Sequence, residues 1–414
     1  MTQGSSTNGY RHGTAPFENR DARAASGAPV PSPAQQAPYL PHKTSARAAK
    51  RAVKPTRRPA RRHHRPRHLL VSALLWLAML GVCALMALRV LPTDLANGRI
   101  VPEVVSFVPL VLIPTIICLA AALLSRRRLL LVVCVLALAI NGWWHAGYFA
   151  GRARVSPAAE HAVSTSATTD DSYARVMTVN TLNGAASAKQ IVEVCRTEHV
   201  EVLCLQELTD GMVADLTAAG IDEVLPYHVV SEGASAISNG GRNGIWTAAP
   251  QSNVSRNLLP IETSSMPAVD IVIGSTTVRI VSVHPNSPVR GAEDLWDKGL
   301  SVIGSLSDYG HAYLIMGDFN STWDHARFRT LLGTRFADAS QASGEGFHMT
   351  YPSNRMVPSL IEIDHIVYAR DSGITVSSLK TVEIAGTDHK ALIGQRGGGD
   401  LGARGSLHVA LDGG

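Results

Sequence analysis

Cysteine is scarce in this chain, and acidic residues are nearly missing from its first part. Five cysteines are spread over 414 residues, with no zinc-ligand spacing and none of the density of a disulfide-stapled domain. Thiolate metal chemistry and a small disulfide scaffold are thereby excluded. Cys83, Cys118 and Cys134 lie in apolar segments, where cysteine behaves as a small buried residue. Cys195 and Cys204 fall in the polar part, and the sequence leaves open whether they form a disulfide. Residues 1–154 carry 21 Lys+Arg and only 4 Asp+Glu, a net of +17, whereas residues 155–414 carry 17 and 29, a net of −12. The two sum to the overall +5. The C-terminal part therefore lacks the basic footprint on which tight, non-specific nucleic-acid binding draws, although a bound divalent cation offsets local negative charge. No internal repeat is present.

Residues 1–67 are rich in Pro, Ala, Ser, Gly and Arg and poor in large apolar residues, the composition of a disordered tail. Within it, Lys43 to Arg67 holds eleven Lys/Arg and no acid. Such a run is either a topology signal beside a membrane helix or a site for anionic lipid or nucleic acid. Three apolar runs follow, Leu69–Val90, Val104–Leu124 and Leu129–Phe149, each near the ~20 residues that cross a bilayer. Pro109 and Pro114 are tolerated in a membrane helix, and Trp143, Trp144 and Tyr148 resemble an interfacial belt. A buried helical hairpin in a soluble protein is the alternative. The basic tail and the basic Ser125–Arg128 loop belong on the cytoplasmic side, which places everything after Phe149 outside a multi-pass cell-membrane protein. Residues 68–150 are thus expected to be a three-helix transmembrane region, 151–171 a linker, and 172–414 a globular domain.

From Tyr173 the pattern alternates. Strands are expected at Ala174–Val179, Val200–Leu205, Asn243–Ala248, Ala268–Ile273, Thr277–Val283, His311–Met316, Ile361–Val367, Leu379–Glu383 and Ser406–Leu411. Helices are expected at Ala185–Thr197, Gly211–Ala219, Glu293–Leu306 and His325–Leu332. The Gly/Arg-rich stretch Gly394–Gly405 reads as a loop. The mixture implies an α/β or α+β domain of roughly 240 residues, enough for a sizeable core.

Six polar motifs stand in order along this domain: Val179-Asn180-Thr181, Leu205-Gln206-Glu207, Val283-His284-Pro285, Gly317-Asp318-Phe319-Asn320, Ile363-Asp364-His365 and Thr387-Asp388-His389. Most of them end a strand-forming run, which brings polar groups to the rim of a sheet. Convergent rims form a pocket for metal ligands, a base and phosphate contacts, the parts that phosphate-ester hydrolysis needs. Glu207 is a hard oxygen donor suited to Mg²⁺ or Mn²⁺, and Asn180 would support the metal or touch phosphate. Asp318 and Asn320 alternate, so both side chains can leave one face of an extended segment. The first would orient water and the second donate to a phosphoryl oxygen. Asp364 and His389 are a carboxylate–imidazole pair that favours the imidazolium. His284 is a second cation or proton donor near the leaving group. Asp388 would bind a second cation or brace the site, and His365 is a neighbour. Each of these residues taken alone is also an ordinary turn or surface residue.

The ordered set resembles the endonuclease/exonuclease/phosphatase superfamily of DNase I-like enzymes, from Ala174 to about Ile393. The resemblance implies two stacked mixed β-sheets flanked by helices, a four-layer sandwich. It also implies one Mg²⁺ near Glu207, phosphate held by Asn180, Asn320 and His389, water handled by Asp318, and Asp364 paired with His389. Leu182 stands where some nucleases of that family carry an acid, Thr387 replaces the usual Ser, and the long basic, aromatic DNA-binding loops of apurinic-site enzymes are missing. The substrate is left open among nucleic acid, a phospholipid head group and a small phosphodiester. A non-catalytic membrane adaptor acting through the basic tail is the alternative reading.

Overall fold

Strand β2 (Val200–Leu208) shows how the core is layered. Alternate side chains of a strand face opposite ways, and every β2 residue except Glu207 is buried. Val202 and Cys204 join one hydrophobic cluster while Leu203 and Leu205 join another. The strand is covered on both faces, and so reads as a nearly continuous apolar run. The computed structural model describes residues 66–96, 98, 100–163, 170–232 and 242–398. The expected basic tail up to residue 65 and the expected strand Ser406–Leu411 lie outside these.

Among the described residues twelve strands follow in order: β1 (Ala174–Asn180), β2, β3 (Tyr227–Val230), β4 (Arg242–Thr247), β5 (Ser252–Ser255), β6 (Ala268–Ile273), β7 (Thr276–Val283), β8 (Ala312–Asp318), β9 (Phe336–Asp338), β10 (Asp364–Ala369), β11 (Ile374–Glu383) and β12 (Lys390–Gly398). They form two six-stranded sheets, ordered β11-β12-β1-β2-β4-β3 and β5-β6-β7-β8-β10-β9. Both are mixed, since β1 is parallel to β2 and β7 to β8 while the other pairings are antiparallel. Val176, Cys204 and Ile245 of the first sheet meet Ile280, Leu314 and Met316 of the second in the central cluster. Helices Ala188–Thr197 and Asp210–Ala218 cover the outer face of the first sheet, and Glu293–Gly304 and Ala326–Leu332 that of the second. The result is the expected sandwich of helix, sheet, sheet and helix. Helix starts follow local chemistry, as Ser187 and Thr209 each accept from a backbone N–H three residues on, the usual N-cap.

Several expectations need correcting. Gly394 to Gly398 is not a loop: it completes β12, which pairs with both β11 and β1. A Cβ at Gly394 would lie 2.9–3.1 Å from Leu379, Val376 and Ile366, so this glycine permits close sheet packing instead of a turn. The short strands β3, β5 and β9 carry too few residues to show a period. Cys195 and Cys204 are both buried free thiols. The linker is in part docked on the domain: Ala153 N donates to Ala342 O, Val155 N donates to Ser377 Oγ, and a short helix, Pro157–Val163, buries Ala159.

The apolar runs form one helix long and apolar enough to cross a membrane, His68–Arg89, and two shorter apolar helices, Val108–Leu124 and Arg128–Trp144. The three expected spans are therefore not equivalent. The second run is broken into a helix at Val101–Val105, a 3₁₀ turn at Val108–Val111 and a helix at Leu112–Leu124. Proline at 109 enters the 3₁₀ turn at its start, where its missing N–H costs nothing. The helices pack on one another through Met79, Val82, Cys118, Ala122, Leu130 and Cys134, and they share one compact unit, residues 64–414, with the sandwich.

Candidate active site

The topology gathers all six motifs at one edge of the stacked sheets. Asn180 lies opposite Gln206 at the ends of parallel β1 and β2, and Val283 opposite Gly317 at the ends of parallel β7 and β8. Asp364 begins antiparallel β10 opposite Asp318, and His389 directly precedes antiparallel β12. Thus Asn180, Glu207, His284 and Asp318 sit at strand ends as expected, while Asp364 and His389 sit at strand starts. In a mixed sheet the two kinds of terminus share one rim.

Backbone irregularities then aim the side chains. Register with β4 breaks between Leu205 and Leu208, and Glu207 takes a left-handed φ of 55°. A bulge of this kind re-aims one side chain at a strand end, and the left-handed backbone costs on the order of 1–3 kcal/mol. Gly317 has a similar purpose in the neighbouring sheet, where a Cβ would collide with the Val283 carbonyl.

The polar groups form one connected set. Asn180 Nδ2 donates to Glu207 Oε1 at 2.9 Å and to Asp318 Oδ2 at 3.1 Å, joining the two sheets. Asp318 Oδ2 is 3.5 Å from His284 Nε2 and 3.7 Å from His389 Nε2. His389 Nδ1 donates to Asp364 Oδ2 at 2.8 Å. Asp388 lies 4.0 Å from His389 Nε2 and pairs with Arg355 at 3.6 Å. Glu207, His284, Asp318, Asn320, Asp388 and His389 all line one cavity of about 440 Å³.

Asn320 departs from its expected pose. Its φ is 48°, so the segment is not extended. Its backbone N–H donates to Asp318 Oδ1 at 2.8 Å and its Nδ2 to Pro285 O at 3.1 Å. The first contact fixes the Asp318 carboxylate, and the side chain still lines the cavity.

Electrostatics separate the roles. Burial would lower the His389 imidazole, but Asp364 and Asp318 overcome it and hold the ring up to about 10. His284 is shifted the other way, by burial first and by His389 against the pull of Asp318, which favours a neutral ring over the expected second cation. Burial raises the Asp318 carboxyl, and His389 pulls against it. Burial pushes Glu207 up to about 7; Asn180 lowers it and Asp318 adds to the rise.

The fit to a divalent cation follows from these shifts. Two carboxylates that resist ionisation, a buried Asp318 and a partly buried Glu207, face each other across Asn180, and a cation there relieves both. Glu207 and Asn180 offer the hard oxygen donors that Mg²⁺ takes. Asp318, Asp364 and His389 also bring one potential ligand atom each within 4.8 Å of one another. A protonated imidazole has no free lone pair, however, so this triad is better read as an imidazolium hydrogen-bonded to Asp364 and ion-paired with Asp318 than as the metal site.

Other motif residues brace the frame. Gln206 takes a bond from Thr178 at 3.2 Å and gives one to Ser282 at 3.2 Å in the other sheet. Asn243, which had no assigned role, donates to Ser264 Oγ and Ser265 O. His365 is fully buried between Asp338 Oδ1 and Ser321 O, at 2.9 and 2.8 Å, a neighbour as expected. No sequence signal points to Tyr351, whose ring centroid is 5.1 Å from that of His389. Nor did it reveal Glu103, Ser106 and Phe107, which line the cavity from the helical region.

Residues 177–389 match the model of the "Endonuclease/Exonuclease/phosphatase family". No curated protein matches. Among solved structures, a D. rerio TDP2 complexed with a single-strand DNA product is 16% identical, with a TM-score of 0.46, covering 55% of this chain and 99% of that one. An endonuclease/exonuclease/phosphatase from Beutenbergia cavernae is 16% identical with a TM-score of 0.42, over 55% and 72% of the two chains. Sphingomyelinase C from Streptomyces griseocarneus is 16% identical with a TM-score of 0.36, over 54% and 99%. With more than half of its residues inside the matched model and the six motifs at one sheet edge, this chain belongs to the endonuclease/exonuclease/phosphatase family, whose members hydrolyse phosphodiester bonds.

Proposed function

We propose that the protein is a membrane-anchored, Mg²⁺-dependent phosphodiesterase whose catalytic domain faces the outside of the cell. The observation that carries the catalytic reading is the Asp364–His389–Asp318 triad, a held imidazolium beside a buried carboxylate at the floor of an open cavity. His389, cationic at neutral pH, binds a non-bridging phosphate oxygen through Nε2–H, helped by the amide of Asn320, while Asn180 holds the two carboxylates in place. Asp318 orients water and takes its proton as the water oxygen bonds to phosphorus. The bond to the leaving oxygen breaks, and that oxygen takes a proton from solvent. Neutral His284 contributes an N–H to the same site and no charge. A Mg²⁺ ion held by Glu207 and Asn180 neutralises phosphoryl charge when bound, and Asp388 braces the site or holds a second cation.

What supports the membrane reading is exposure. Only 17% of the most apolar window in His68–Arg89 is buried, and Leu69, Leu74, Leu77 and Leu80 are exposed. A core helix of a soluble protein would hide that surface. Arg128–Trp144, at 17 residues, reaches about 25 Å at 1.5 Å per residue, a shortfall that local thinning or flanking residues accommodate. Arg127, in the basic loop, binds Ser72 Oγ and His68 O at the start of the first helix. The sandwich meets the other helix ends, at Arg89, Pro102 and Trp144. The basic loop and the catalytic domain are thus at opposite ends, and the positive-inside rule puts the domain outside.

The test is hydrolysis of bis(4-nitrophenyl) phosphate by the purified full chain with Mg²⁺. Asp318→Ala is expected to lower kcat by roughly 10²–10⁴-fold without loss of fold. Glu207→Gln should move the Mg²⁺ titration to higher concentration. Normal turnover by the first variant, or an unmoved titration for the second, rejects the role assigned.

A further inference from the structure

The catalytic cavity is not made by the sandwich alone. Glu103, Ser106 and Phe107, from the stretch that joins the first two apolar helices, line it together with Glu207, Asp318 and His389. Several bonds hold that stretch in place. His325 Nδ1 accepts from Thr322 N at 2.8 Å, which leaves Nε2–H to donate to Pro102 O at 2.8 Å. Glu103 pairs across the cavity mouth with Arg290 at 3.5 Å. Behind it, Arg89 and His145 from two helices converge on the buried Asp324, and Trp323 Nε1 donates to Trp144 O at 3.2 Å. Thr322 to His325 follow Asp318 and Asn320 closely in sequence, so the segment that carries the base also carries the helical docking site.

The rim of this cavity carries large apolar side chains, and its two arginines, Arg290 and Arg355, are paired with Glu103 and Asp388, whereas a nuclease would need cations open to a phosphate backbone. Phe107 and Val289 line the mouth and are exposed, and Val357 and the fully exposed Met356 lie just beyond Arg355, which is tied to Asp388. These residues come from three separate segments. Large exposed apolar side chains ringed around a charged site mark an amphipathic ligand or an apolar surface. Duplex or single-stranded nucleic acid would instead draw on basic residues, and this part of the chain has a net charge of −12.

We propose that the substrate is a phosphodiester lipid of the membrane in which the helices sit. Its phosphate is held at His389 and Asp318, and its apolar portion lies against Phe107 and the apolar rim. Water attacks phosphorus, one P–O ester bond breaks, and the products are a phosphomonoester and an alcohol. This rests on the hydrolase reading above and adds the substrate class to it.

The full chain in detergent micelles with Mg²⁺ is given three substrates: phosphatidylcholine–phosphatidylglycerol mixed micelles, bis(4-nitrophenyl) phosphate and a single-stranded DNA oligonucleotide. The expected result is a kcat/KM for lipid at least tenfold above that for either of the others. Phe107→Asp should lower the lipid-to-aryl-diester ratio at least fivefold, and Val289→Asp, on a separate segment, should do the same if the first variant folds poorly. Efficient cleavage of the aryl diester or DNA with no preference for lipid overturns the lipid assignment and leaves the hydrolase reading intact. So does an equal loss on both substrates in both rim variants. No cleavage of any of the three overturns the hydrolase reading itself, and the lipid assignment with it.

Discussion

Leu203 and Leu77 have the same side chain and opposite surroundings. Leu203 is wholly buried on the outer face of β2 beneath a helix, and Leu77 is 65% exposed on the first apolar helix. The sandwich hides its apolar residues from solvent, whereas the helical region hides a narrow seam and displays the rest. The polar residues invert the comparison. In the sandwich they converge on a cavity, and in the helical region two of them, Arg89 and His145, are buried against Asp324 of the sandwich.

That joint is where the comparison breaks most sharply. Asp324→Ala would leave Arg89 buried without its carboxylate, a loss of about 3–5 kcal/mol by analogy with other broken buried pairs. Protease protection of the segment between residues 90 and 163 is the measurement, and unchanged protection would show that the joint is held by apolar contact alone. Next in size, Leu203→Ala should cost about 2–5 kcal/mol, seen as a clear fall in the unfolding temperature of the full chain in detergent. The matching Leu77→Ala change should shift that temperature little, within the ~0.5 kcal/mol of an ordinary surface substitution. Equal effects would mean that Leu77 is covered by protein.

A further contrast concerns pH. Burial pulls the His365 ring down, but Asp338 and then Glu362 raise it to about 9. A raised histidine contributes stability that is complete below its unfolded value near 6.5 and is lost as pH rises through 9. Glu362, pushed up to about 7 by burial and then by Asp338, also favours its protonated form in the fold, so its loss comes earlier, between about pH 4.5 and 7. The unfolding temperature should therefore fall from pH 6.5 to 9, with His389, held up to about 10, contributing to the same fall, and His365→Asn should make that slope shallower. A variant as steep as the parent would assign the slope to other groups.

Much of the site was legible because strand-end polar residues are local signals. Asn180, Glu207, His284 and Asp318 each follow a run of β-branched and aliphatic residues, and a strand must stop somewhere with a polar group. Asp364 and His389 were equally visible as residues, but their position at strand starts depends on antiparallel pairing with β8 and β1, a long-range fact. The same reason hid β12, whose glycines looked like loop punctuation until the packing of Gly394 on Val376 and Ile366 explained them. Alternation of Asp318 and Asn320 is the only local cue, and it points to an extended segment. The left-handed turn at Asn320 answers to the Asp318 carboxylate. Arg89 and His145 stand in apolar runs, and nothing local in the sequence names Asp324 as their partner.

Amino-acid order alone determined the alternation of strand and helix, the apolar runs and the identity of the groups able to do chemistry, since these depend on side-chain type and on periods of two and 3.6 residues. Only the tertiary structure decided which of those groups meet, which imidazole keeps its proton, and that a stretch between apolar helices walls the cavity. Contacts between residues hundreds of positions apart, and the burial that shifts their proton affinities, exist only once two sheets and three helices have closed on one another.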